Sequence, residues 1–301
     1  MKVPPPPPSV NNLPSVHRLI VGQDEEVLSF LAVRPVHTFF MTGLIQDNGL
    51  ESESNRGTFY ACHDPRGQLQ GVALIGHAVL IETDWDLALS AFARVARGCP
   101  TPPQLIRGES REVERFWRCF TADADVAHLR NRESLLILKR TPPAAASHGT
   151  VPVLLRVATL DDLPQVMSVN AAMACEERGV NPLERDPHGF RQRSANRIRH
   201  GRVWVCRDHD RLTFKADLIV DTAQAAYLEG VYVHPERRGK GFGSRCMSQL
   251  GRMLLERANS VCLTVNDANL GARAFYHKLG YEFHSNYETI YLQHTNHCVA
   301  A

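Results

Sequence analysis

A glycine-rich, basic turn at residues 234–244, His-Pro-Glu-Arg-Arg-Gly-Lys-Gly-Phe-Gly-Ser, constrains this chain more than any other segment. It follows a strand-like run at residues 227–233 and opens a helix-like run at residues 244–258. Its three glycines allow a tight turn that exposes backbone N–H groups. At a helix N-terminus, those N–H groups and the helix dipole both favour an anion. Because the turn also carries three basic side chains, it predicts a pyrophosphate-binding site.

Two familiar nucleotide-binding turns do not fit this segment. A P-loop requires the pattern GxxxxGK followed by Ser or Thr, which the turn lacks. A dinucleotide fingerprint requires GxGxxG after the first strand of a βαβ unit. Here the glycines are Gly239, Gly241 and Gly243, and the preceding strands form an antiparallel meander. Another class of phosphate-bearing ligand is therefore expected.

The turn matches a third pattern, which is Arg or Gln, two residues, Gly, one residue, and Gly or Ala. Arg238, Gly241 and Gly243 supply it. After the next strand-like run, residues 269–281 read Asn-Leu-Gly-Ala-Arg-Ala-Phe-Tyr-His-Lys-Leu-Gly-Tyr. With these two signatures, residues 152–296 resemble the GNAT superfamily of N-acetyltransferases, whose turn binds acyl-CoA. The first half resembles, more loosely, the degenerate first repeat of tandem proteins of this family.

The resemblance implies an α/β fold with two GNAT-like domains in tandem, each a mixed, mostly antiparallel sheet flanked by helices. Shifts in composition give the expected boundaries. Residues 1–14 are proline-rich and are expected to be disordered, and residues 141–150 have the composition of an interdomain linker. We therefore expect a degenerate GNAT-like domain at residues 15–140 and the catalytic domain at residues 151–301.

Hydrophobic periodicity predicts the elements of the second half: a strand, two helices, three hairpin-joined strands, a helix, a strand, a helix and a strand. The predicted ranges are 153–157, 159–177, 190–198, 202–206, 212–220, 224–233, 244–258, 261–265, 268–279 and 287–292. In the first half, a helical run at residues 27–40 is expected to kink or split at Pro35, and residues 58–62 and 70–82 are expected to pair as a hairpin. This half has no phosphate-binding turn, so we expect it to be structural or to shape the substrate pocket.

Composition excludes several classes of function. The chain has 301 residues, of which 44% are hydrophobic and 22% charged, as is typical of globular proteins. A net charge of +2 gives no basic field for nucleic acid. No apolar run is long enough to span a membrane, and the first residues do not read as a signal peptide. We therefore expect a cytoplasmic protein with no nucleic-acid and no membrane partner.

The cysteine pattern indicates neither disulfides nor a metal site. The eight cysteines include no CxxC pair. Cys62, Cys206 and Cys262 lie in apolar runs, where buried free thiols of a reducing compartment are expected. The tail at residues 294–298 holds two histidines and one cysteine, but three candidate zinc ligands beside the chain end do not predict a site.

Transfer of an acetyl group to an amine needs a base that removes the amine proton. Alternation along the strand places Tyr227, Glu229, Val231 and Val233 on one face. The resemblance implies that Glu229 is the catalytic base, because several members of the family have their base at this position. The alternative for this carboxylate is a structural ion pair.

Two other carboxylates, Glu176 and Glu177, lie at the end of the first helix of the second half. The resemblance implies that this region borders the acceptor site, so both compete with Glu229 for the role of base. We expect all three carboxylates to contact the acceptor. The alternative for Glu176 and Glu177 is a solvated helix end.

The resemblance also implies a general acid, the hydroxyl of Tyr276, which would lie near the CoA sulfur and protonate the departing thiolate. A packed helix tyrosine is the alternative. A backbone N–H near Val233, where the strand splays from its neighbour, would stabilise the oxyanion. Asn269 would cap the following helix or contact the donor. The residues expected to bind acyl-CoA are Val231, Tyr232, Val233, Arg238, Gly239, Lys240, Gly241, Phe242, Gly243, Ser244, Asn269, Phe275 and Tyr276.

These observations lead to one predicted function and one alternative. The predicted function is an acyl-CoA-dependent N-acyltransferase that moves acetyl directly from acetyl-CoA to a primary amine of a protein lysine or a small molecule, without a metal. The alternative is a non-catalytic acyl-CoA sensor or interaction module that keeps the turn and has lost transfer. The sequence is compatible with several acceptors, with different acyl lengths, and with either a monomer or a homodimer.

Overall fold

The computed structural model describes residues 14–121, 128–139, 153–179 and 181–292, without the side chains of residues 177 and 178. The predicted disordered start up to residue 13, the predicted linker and the histidine-containing tail lie outside these described residues. The Glu177 side chain lies outside them as well.

The chain divides into two compact units. Unit 1 contains the residues up to Ser134 and those from Ser285 onward, and unit 2 contains Leu135–His284. Both boundaries between the units fall within strands, at residues 128–138 and 282–292, so each unit contains part of these two strands. The domain boundaries at residues 140 and 151 stay a prediction.

Unit 1 is a mixed sheet flanked by helices. Its elements are β1 Ser15–Arg18, α1 Asp24–Leu31, α2 Pro35–Asn48, β2 Gly57–His63, β3 Leu69–Gly76, β4 Ala78–Glu82, α3 Asp86–Arg97, β5 Leu105–Glu109, α4 Ser110–Thr121 and the first part of β6 His128–Leu138. The last part of the final strand, β12 Glu282–Leu292, also belongs to this unit. Six of its strands lie in the order β1-β2-β3-β4-β5-β12. Among these six, β4 and β5 pair in parallel and the other neighbours pair antiparallel.

Unit 2 has the same order of elements with one additional short helix, α6 Pro182–Arg185. Its elements are β7 Arg156–Val157, α5 Leu163–Arg178, α6, α7 Pro187–Arg199, β8 Val203–Asp208, β9 Arg211–Asp221, β10 Ala226–Val233, α8 Phe242–Leu255, β11 Val261–Asn266 and α9 Leu270–Lys278. The strand order runs β6-β11-β10-β9-β8-β7, and β10 pairs with β11 in parallel. The predicted α/β class, with a mixed, mostly antiparallel sheet flanked by helices, is confirmed.

The core of unit 2 lies under α8. Cys246, Leu250 and Leu254 recur every four residues, so they form one face of this helix, and all three are buried in the main cluster of the unit. Phe214 of β9 and Leu263 of β11 meet them from the sheet. This packing fixes the start of α8, and with it the glycine turn, against the ends of the central strands.

Local sequence signals set several element boundaries. Pro35 occupies the first turn of α2, a position where its missing N–H costs nothing, so the predicted split of this helical run is confirmed. Thr159 and Asp162 form a capping box before α5. Gly280, which follows α9, has a φ of +86°, as is typical of the residue that ends a helix.

Two predicted strands are shorter than expected. The strand expected at residues 153–157 is reduced to β7, because Leu155 donates its N–H to Val153 within a local turn instead of to the sheet. The strand expected at residues 70–82 is two strands, β3 and β4. The break lies at His77, directly after Gly76, where a Cβ would come within 2.3 Å of the Gly57 Cα.

The described cysteines are free thiols, and Cys62, Cys206 and Cys262 are buried, as predicted. Within the described ranges, no group of three or more His, Cys, Asp or Glu side chains is arranged to hold a metal ion. No helix in the described part of the chain is both long enough and apolar enough to cross a bilayer.

Candidate active site

The central parallel strands of unit 2 separate part of the way along β10. Their register pairs run from Ala226 with Val261 to Leu228 with Leu263, whereas β10 continues to Val233. A crevice therefore opens at the carboxyl ends of the two strands, which is where open α/β sheets bind ligands. The two strands separate as predicted. The separation begins after Leu228, which is on the N-terminal side of the predicted position near Val233.

A β-bulge lies in β10 directly after the last of these pairs. Glu229 pairs with Asp217 of β9, and the next register pair is Tyr232 with Lys215, so β10 has one extra residue between the two pairs. Gly230 lies in the bulge with a φ of +58°, which residues with a side chain rarely adopt. An extra residue of this kind bends the strand and re-aims its side chains.

The bulge overturns the prediction that Glu229, Val231 and Val233 share a face. Ala226 and Leu228 belong to the main core of unit 2, and beyond the bulge Val231 and Val233 pack against the same core. Glu229 precedes the bulge and therefore lies on the opposite face of the strand. The reason is that one extra residue shifts the period-2 pattern by one position.

The glycine turn leads from β10 into α8 as its sequence predicted. Gly241 has a φ of +71° and immediately precedes the helix. The first N–H groups of a helix have no acceptor within the helix itself, so residues 242–244 present donors at this end of α8. Arg238 donates from Nε to the Val233 carbonyl at 2.9 Å, which ties the turn to the end of β10.

Gly243 shows that this turn is a close-fitting cradle. A Cβ at Gly243 would come within 2.8 Å of the Val233 Cγ2 atom and 3.6 Å of the Phe275 ring. The first turn of α8 therefore approaches β10 more closely than any side chain would allow. With donors and basic side chains at the same place, the cradle fits the pyrophosphate of a nucleotide such as CoA.

The basic side chains of the turn are exposed, and one of them has a carboxylate partner. Arg237 pairs with Asp208, and its guanidinium lies over the Phe242 ring at 5.7 Å from the centroid. Arg238 and Lys240 are exposed on the same turn. The turn thus combines positive charge with backbone donors.

Tyr276 lies on α9, whose N-terminus is capped by Asn269. The Asn269 Oδ1 atom accepts the Ala272 N–H at 2.9 Å, so the predicted cap is present. The Tyr276 ring is buried and meets Phe275 and Tyr281 at centroid distances of 5.2 and 5.6 Å. Burial raises the pKa of Tyr276, so its hydroxyl stays protonated through the neutral range.

The structure groups five of the predicted donor-binding side chains together. Tyr276 belongs to the main core of unit 2, and Phe242, Phe275, Val231 and Val233 pack against that core as half-buried residues.

The predicted acceptor-side carboxylates fall elsewhere. Glu229 lies on the opposite face of the strand from Val231 and Val233 and is opposite Asp217 of β9. Glu176 is exposed at the end of α5.

The sequence reasoning missed three charged residues beside Glu229. Lys215 is fully buried, and its Nζ atom lies 2.9 Å from Asp217 Oδ2. Arg197 of α7, whose side chain is largely exposed, contacts the same carboxylate oxygen at 3.4 Å. The sequence does contain a signal for these buried charges, because Lys215 and Asp217 occupy alternate positions of a mainly apolar strand.

The equivalent turn of unit 1, between β4 and α3, has the opposite character. Residues 82–86 read Glu-Thr-Asp-Trp-Asp, with three carboxylates and no glycine. Its backbone donors are used internally: the Thr83 N–H donates to Glu112 Oε1 and the Trp85 N–H to Thr83 Oγ1, both at 3.1 Å. This turn therefore offers no cradle for a phosphate.

A family model matches part of unit 2. Residues 199–283 match a family model described as an acetyltransferase (GNAT) domain. This range contains β10, the turn, α8, β11 and α9. No curated protein matches the chain in sequence.

Solved structures of similar fold cover nearly the whole chain. A Drosophila protein has a TM-score of 0.66 at 14% identity and covers 92% of this chain and 98% of its own. A tandem GNAT protein from the clavulanic acid biosynthesis pathway has a TM-score of 0.60 at 12% identity, over 93% and 98%. An acetyltransferase of the GNAT family from Colwellia psychrerythraea has a TM-score of 0.56 at 10% identity, over 93% and 100%. At these identities the similarity shows the fold.

Proposed function

Since residues 199–283 carry an acetyltransferase (GNAT) domain, we propose that the chain is an acyl-CoA-dependent N-acyltransferase that transfers acetyl from acetyl-CoA to a primary amine. The proposed active site lies in unit 2. The observation that carries the proposal is the crevice where β10 leaves β11 after Leu228, next to the glycine cradle at the start of α8. An acceptor amine, from a small molecule or a protein lysine, would enter this crevice.

The residues proposed to hold acetyl-CoA surround the cradle. The turn at residues 238–244 would bind the pyrophosphate through backbone N–H groups and basic side chains. The end of β10, Asn269 and Phe275 would contact the rest of the donor. Acetyl-CoA supplies the thioester whose carbonyl carbon accepts the amine, and the chain's own residues orient the reactants and move the protons.

Three groups of the chain are proposed to act in the transfer. Glu229 removes a proton from the attacking amine as the new C–N bond forms. A backbone N–H near Val233 stabilises the oxyanion. As the C–S bond breaks, the Tyr276 hydroxyl donates its proton to the departing thiolate. Burial raises the pKa of Tyr276, so the phenol carries the proton that this step requires at neutral pH.

Two substitutions test these roles. Glu229→Gln removes the base and Tyr276→Phe removes the acid, so we expect kcat to fall by about 100-fold in each variant, within the range typical of general acid–base catalysis. The KM for acetyl-CoA should change little, because neither group is proposed to bind the pyrophosphate. Release of free thiol from acetyl-CoA, measured with a panel of small amines, peptides and proteins, gives both constants.

Matched variants separate chemistry from packing. Tyr281→Phe removes the hydroxyl of the neighbouring buried tyrosine, and Glu176→Gln removes the competing exposed carboxylate. If Tyr281→Phe loses as much activity as Tyr276→Phe, the tyrosine effect is one of packing. If acetyl-CoA binds tightly and no acceptor of the panel yields thiol, the chain is a binding module and the transferase proposal is wrong.

A further inference from the structure

Lys215 is a charged side chain in the interior of unit 2 that the proposed chemistry does not use. It lies in the middle of β9, and its side chain is 0% exposed. Moving an ammonium group out of water costs several kcal/mol even after relaxation, as an order of magnitude. A lysine in this position therefore needs specific partners, and these partners indicate what it does.

The partners of Lys215 lie in the bulge and on the strand facing it. The Nζ atom donates to the Gly230 carbonyl at 3.0 Å and lies 2.9 Å from Asp217 Oδ2. Asp217 is itself only 4% exposed and is also held by Arg197. The ammonium thus links the backbone of the bulge to a buried carboxylate.

The bulge is shaped around this ammonium. A Cβ at Gly230 would come within 2.8 Å of Lys215 Nζ and 3.3 Å of Asp217 Oδ2. The left-handed conformation of Gly230 directs its carbonyl to the lysine without a side chain in the way. Glu229 immediately precedes Gly230, so the position of this carbonyl helps to fix the position of Glu229.

We propose that Lys215 is a positioning residue for the proposed base: it holds the bulge that orients Glu229 and separates the Glu229 carboxylate electrostatically from Asp217. This proposal rests on the proposed function only for the statement that Glu229 acts as the base. The orientation and charge of Glu229 are properties of the folded chain and can be measured without turnover.

The charges around the bulge explain why a lysine is needed. Glu229 and Asp217 are register partners on neighbouring strands, and like charges directly opposite each other destabilise a sheet. Burial lowers the pKa of Lys215, and the negative charges of Asp217 and Glu229 oppose this. The cation therefore lies in the field of both carboxylates.

Several other elements pack around the bulge. On β8, the register partners of Lys215 and Asp217 are Val205 and Val203, which are uncharged. Arg197 of α7 reaches it through Asp217. From β11, Leu263 is uncharged and pairs with Leu228. From α8, the residue in close approach to β10 is Gly243. On α5, Glu176 is exposed at the end of the helix.

Lys215→Met tests the proposal, because it keeps the length and the apolar stem of the side chain and removes the charge. We expect the pKa of the Glu229 carboxyl to rise by about 1 unit or more, because the repulsion between the Glu229 and Asp217 carboxylates is then offset by one cation fewer. The direct readout is a carboxyl-¹³C NMR titration of glutamate-labelled full-length protein, in which the Glu229 signal is assigned by its loss in Glu229→Gln. In turnover, the acidic limb of the kcat/KM profile should move up by a similar amount.

A double variant and a surface variant serve as controls. Lys215→Met/Asp217→Asn removes both charges and should return the Glu229 pKa close to its original value. Lys278→Met removes an exposed lysine of α9 and should leave the pKa unchanged. Should Lys215→Met fail to fold, Asp217→Asn alone must lower the Glu229 pKa.

The outcomes separate this proposal from the proposed function. If Lys215→Met lowers only the thermal stability and leaves the Glu229 pKa where it was, Lys215 is a structural residue and the positioning proposal is wrong. The proposal is likewise overturned if Asp217→Asn does not move the Glu229 pKa. If the pKa shifts as expected while Glu229→Gln retains full activity, the positioning role stands and the assignment of the base falls.

Discussion

At the scale of single residues, the three glycines of the cradle serve two different purposes. Gly239 and Gly241 both have a φ of +71° with open space where a Cβ would be, so these positions need glycine for the backbone conformation. The backbone conformation of Gly243 is one that other residues also adopt. Glycine is needed there because Val233 leaves no room for a side chain. Only Gly243 therefore controls how closely α8 approaches β10.

Gly243→Ala should weaken both the fold and the donor site. The added methyl group must displace Val233 or α8, and overpacking of this kind costs about 1–3 kcal/mol of unfolding free energy. Because the displaced helix end carries the donors of the cradle, we expect the Kd for acetyl-CoA to rise about tenfold, which corresponds to about 1.4 kcal/mol. Thermal unfolding and titration calorimetry measure the two effects.

Gly271→Ala is the matched control for this change. A Cβ at Gly271 would be no closer than 3.8 Å to its nearest neighbour, and alanine is the better helix former by roughly 0.5–1 kcal/mol. The control should therefore be slightly more stable and should bind acetyl-CoA unchanged. If Gly243→Ala unfolds earlier but binds acetyl-CoA as the unsubstituted protein does, the approach of α8 to β10 does not shape the cradle.

At the scale of elements, the sequence predicted the order of strands and helices but missed the feature that orients the proposed base. Periodicity and turn residues are local, so they located β10, α8, β11 and α9 closely. A bulge depends on the count of residues on two strands, and alternation read along one strand cannot detect it. The glycine at position 230 inside a predicted strand was the local signal for a bulge.

The buried ions show a second limit of local reasoning. Lys215 and Asp217 could be seen as charges in an apolar strand, but their partners are Gly230 on the next strand and Arg197 on a preceding helix. Such pairs depend on strand register and helix packing, which no spacing in the sequence encodes. The cradle could be predicted because all its parts lie within a few consecutive residues.

An element of unit 1, helix α4, carries a carboxyl group whose titration should affect stability. Glu112 is buried near the start of this helix. Burial, together with the neighbouring Glu82 carboxylate, raises the pKa of Glu112 to about 8, against the opposing hydrogen bond from Thr83. The folded pKa is above the unfolded value, so the folded state binds the proton more tightly. This contribution to stability is present below about pH 4.5 and is lost as the pH rises to 8.

Glu112→Gln should remove this pH dependence. The glutamine resembles the protonated carboxyl and can still accept the Thr83 N–H, so above pH 8 the variant should be more stable than the unsubstituted protein by about 1 kcal/mol or more. Denaturant unfolding between pH 5 and 9 can be followed by the fluorescence of Trp85 and Trp117, which both lie in unit 1.

Glu114→Gln, on the same helix, is the control. It removes a partly exposed carboxylate whose pKa is lowered by its hydrogen bond with Arg130. This variant should keep the pH dependence of stability that Glu112→Gln removes. Identical pH profiles for Glu112→Gln and the unsubstituted protein would show that Glu112 is ionised in the folded state at neutral pH.

At the scale of the whole molecule, the two units have similar element orders but carry opposite charges at one equivalent turn, which lies between β4 and α3 in unit 1 and between β10 and α8 in unit 2. In unit 2 the turn carries Arg237, Arg238 and Lys240 with its glycines, whereas in unit 1 the turn at residues 82–86 carries three carboxylates. Within unit 1, Glu112 also accepts the Thr83 N–H, which is the kind of donor that a phosphate would use. A repeated fold therefore does not imply a repeated site.

The chain should for this reason bind one acetyl-CoA. The carboxylates of the unit 1 turn repel a pyrophosphate, and the backbone N–H groups of Thr83 and Trp85 already have acceptors within the chain. We therefore expect acetyl-CoA to bind at the cradle of unit 2. Titration calorimetry on the full-length protein should give a single binding event with one acetyl-CoA per chain, and Arg238→Glu should abolish it by reversing a charge beside the pyrophosphate. A second binding event that survives in Arg238→Glu would mean that unit 1 holds a donor by other contacts, and the assignment of one active site per chain would then be wrong.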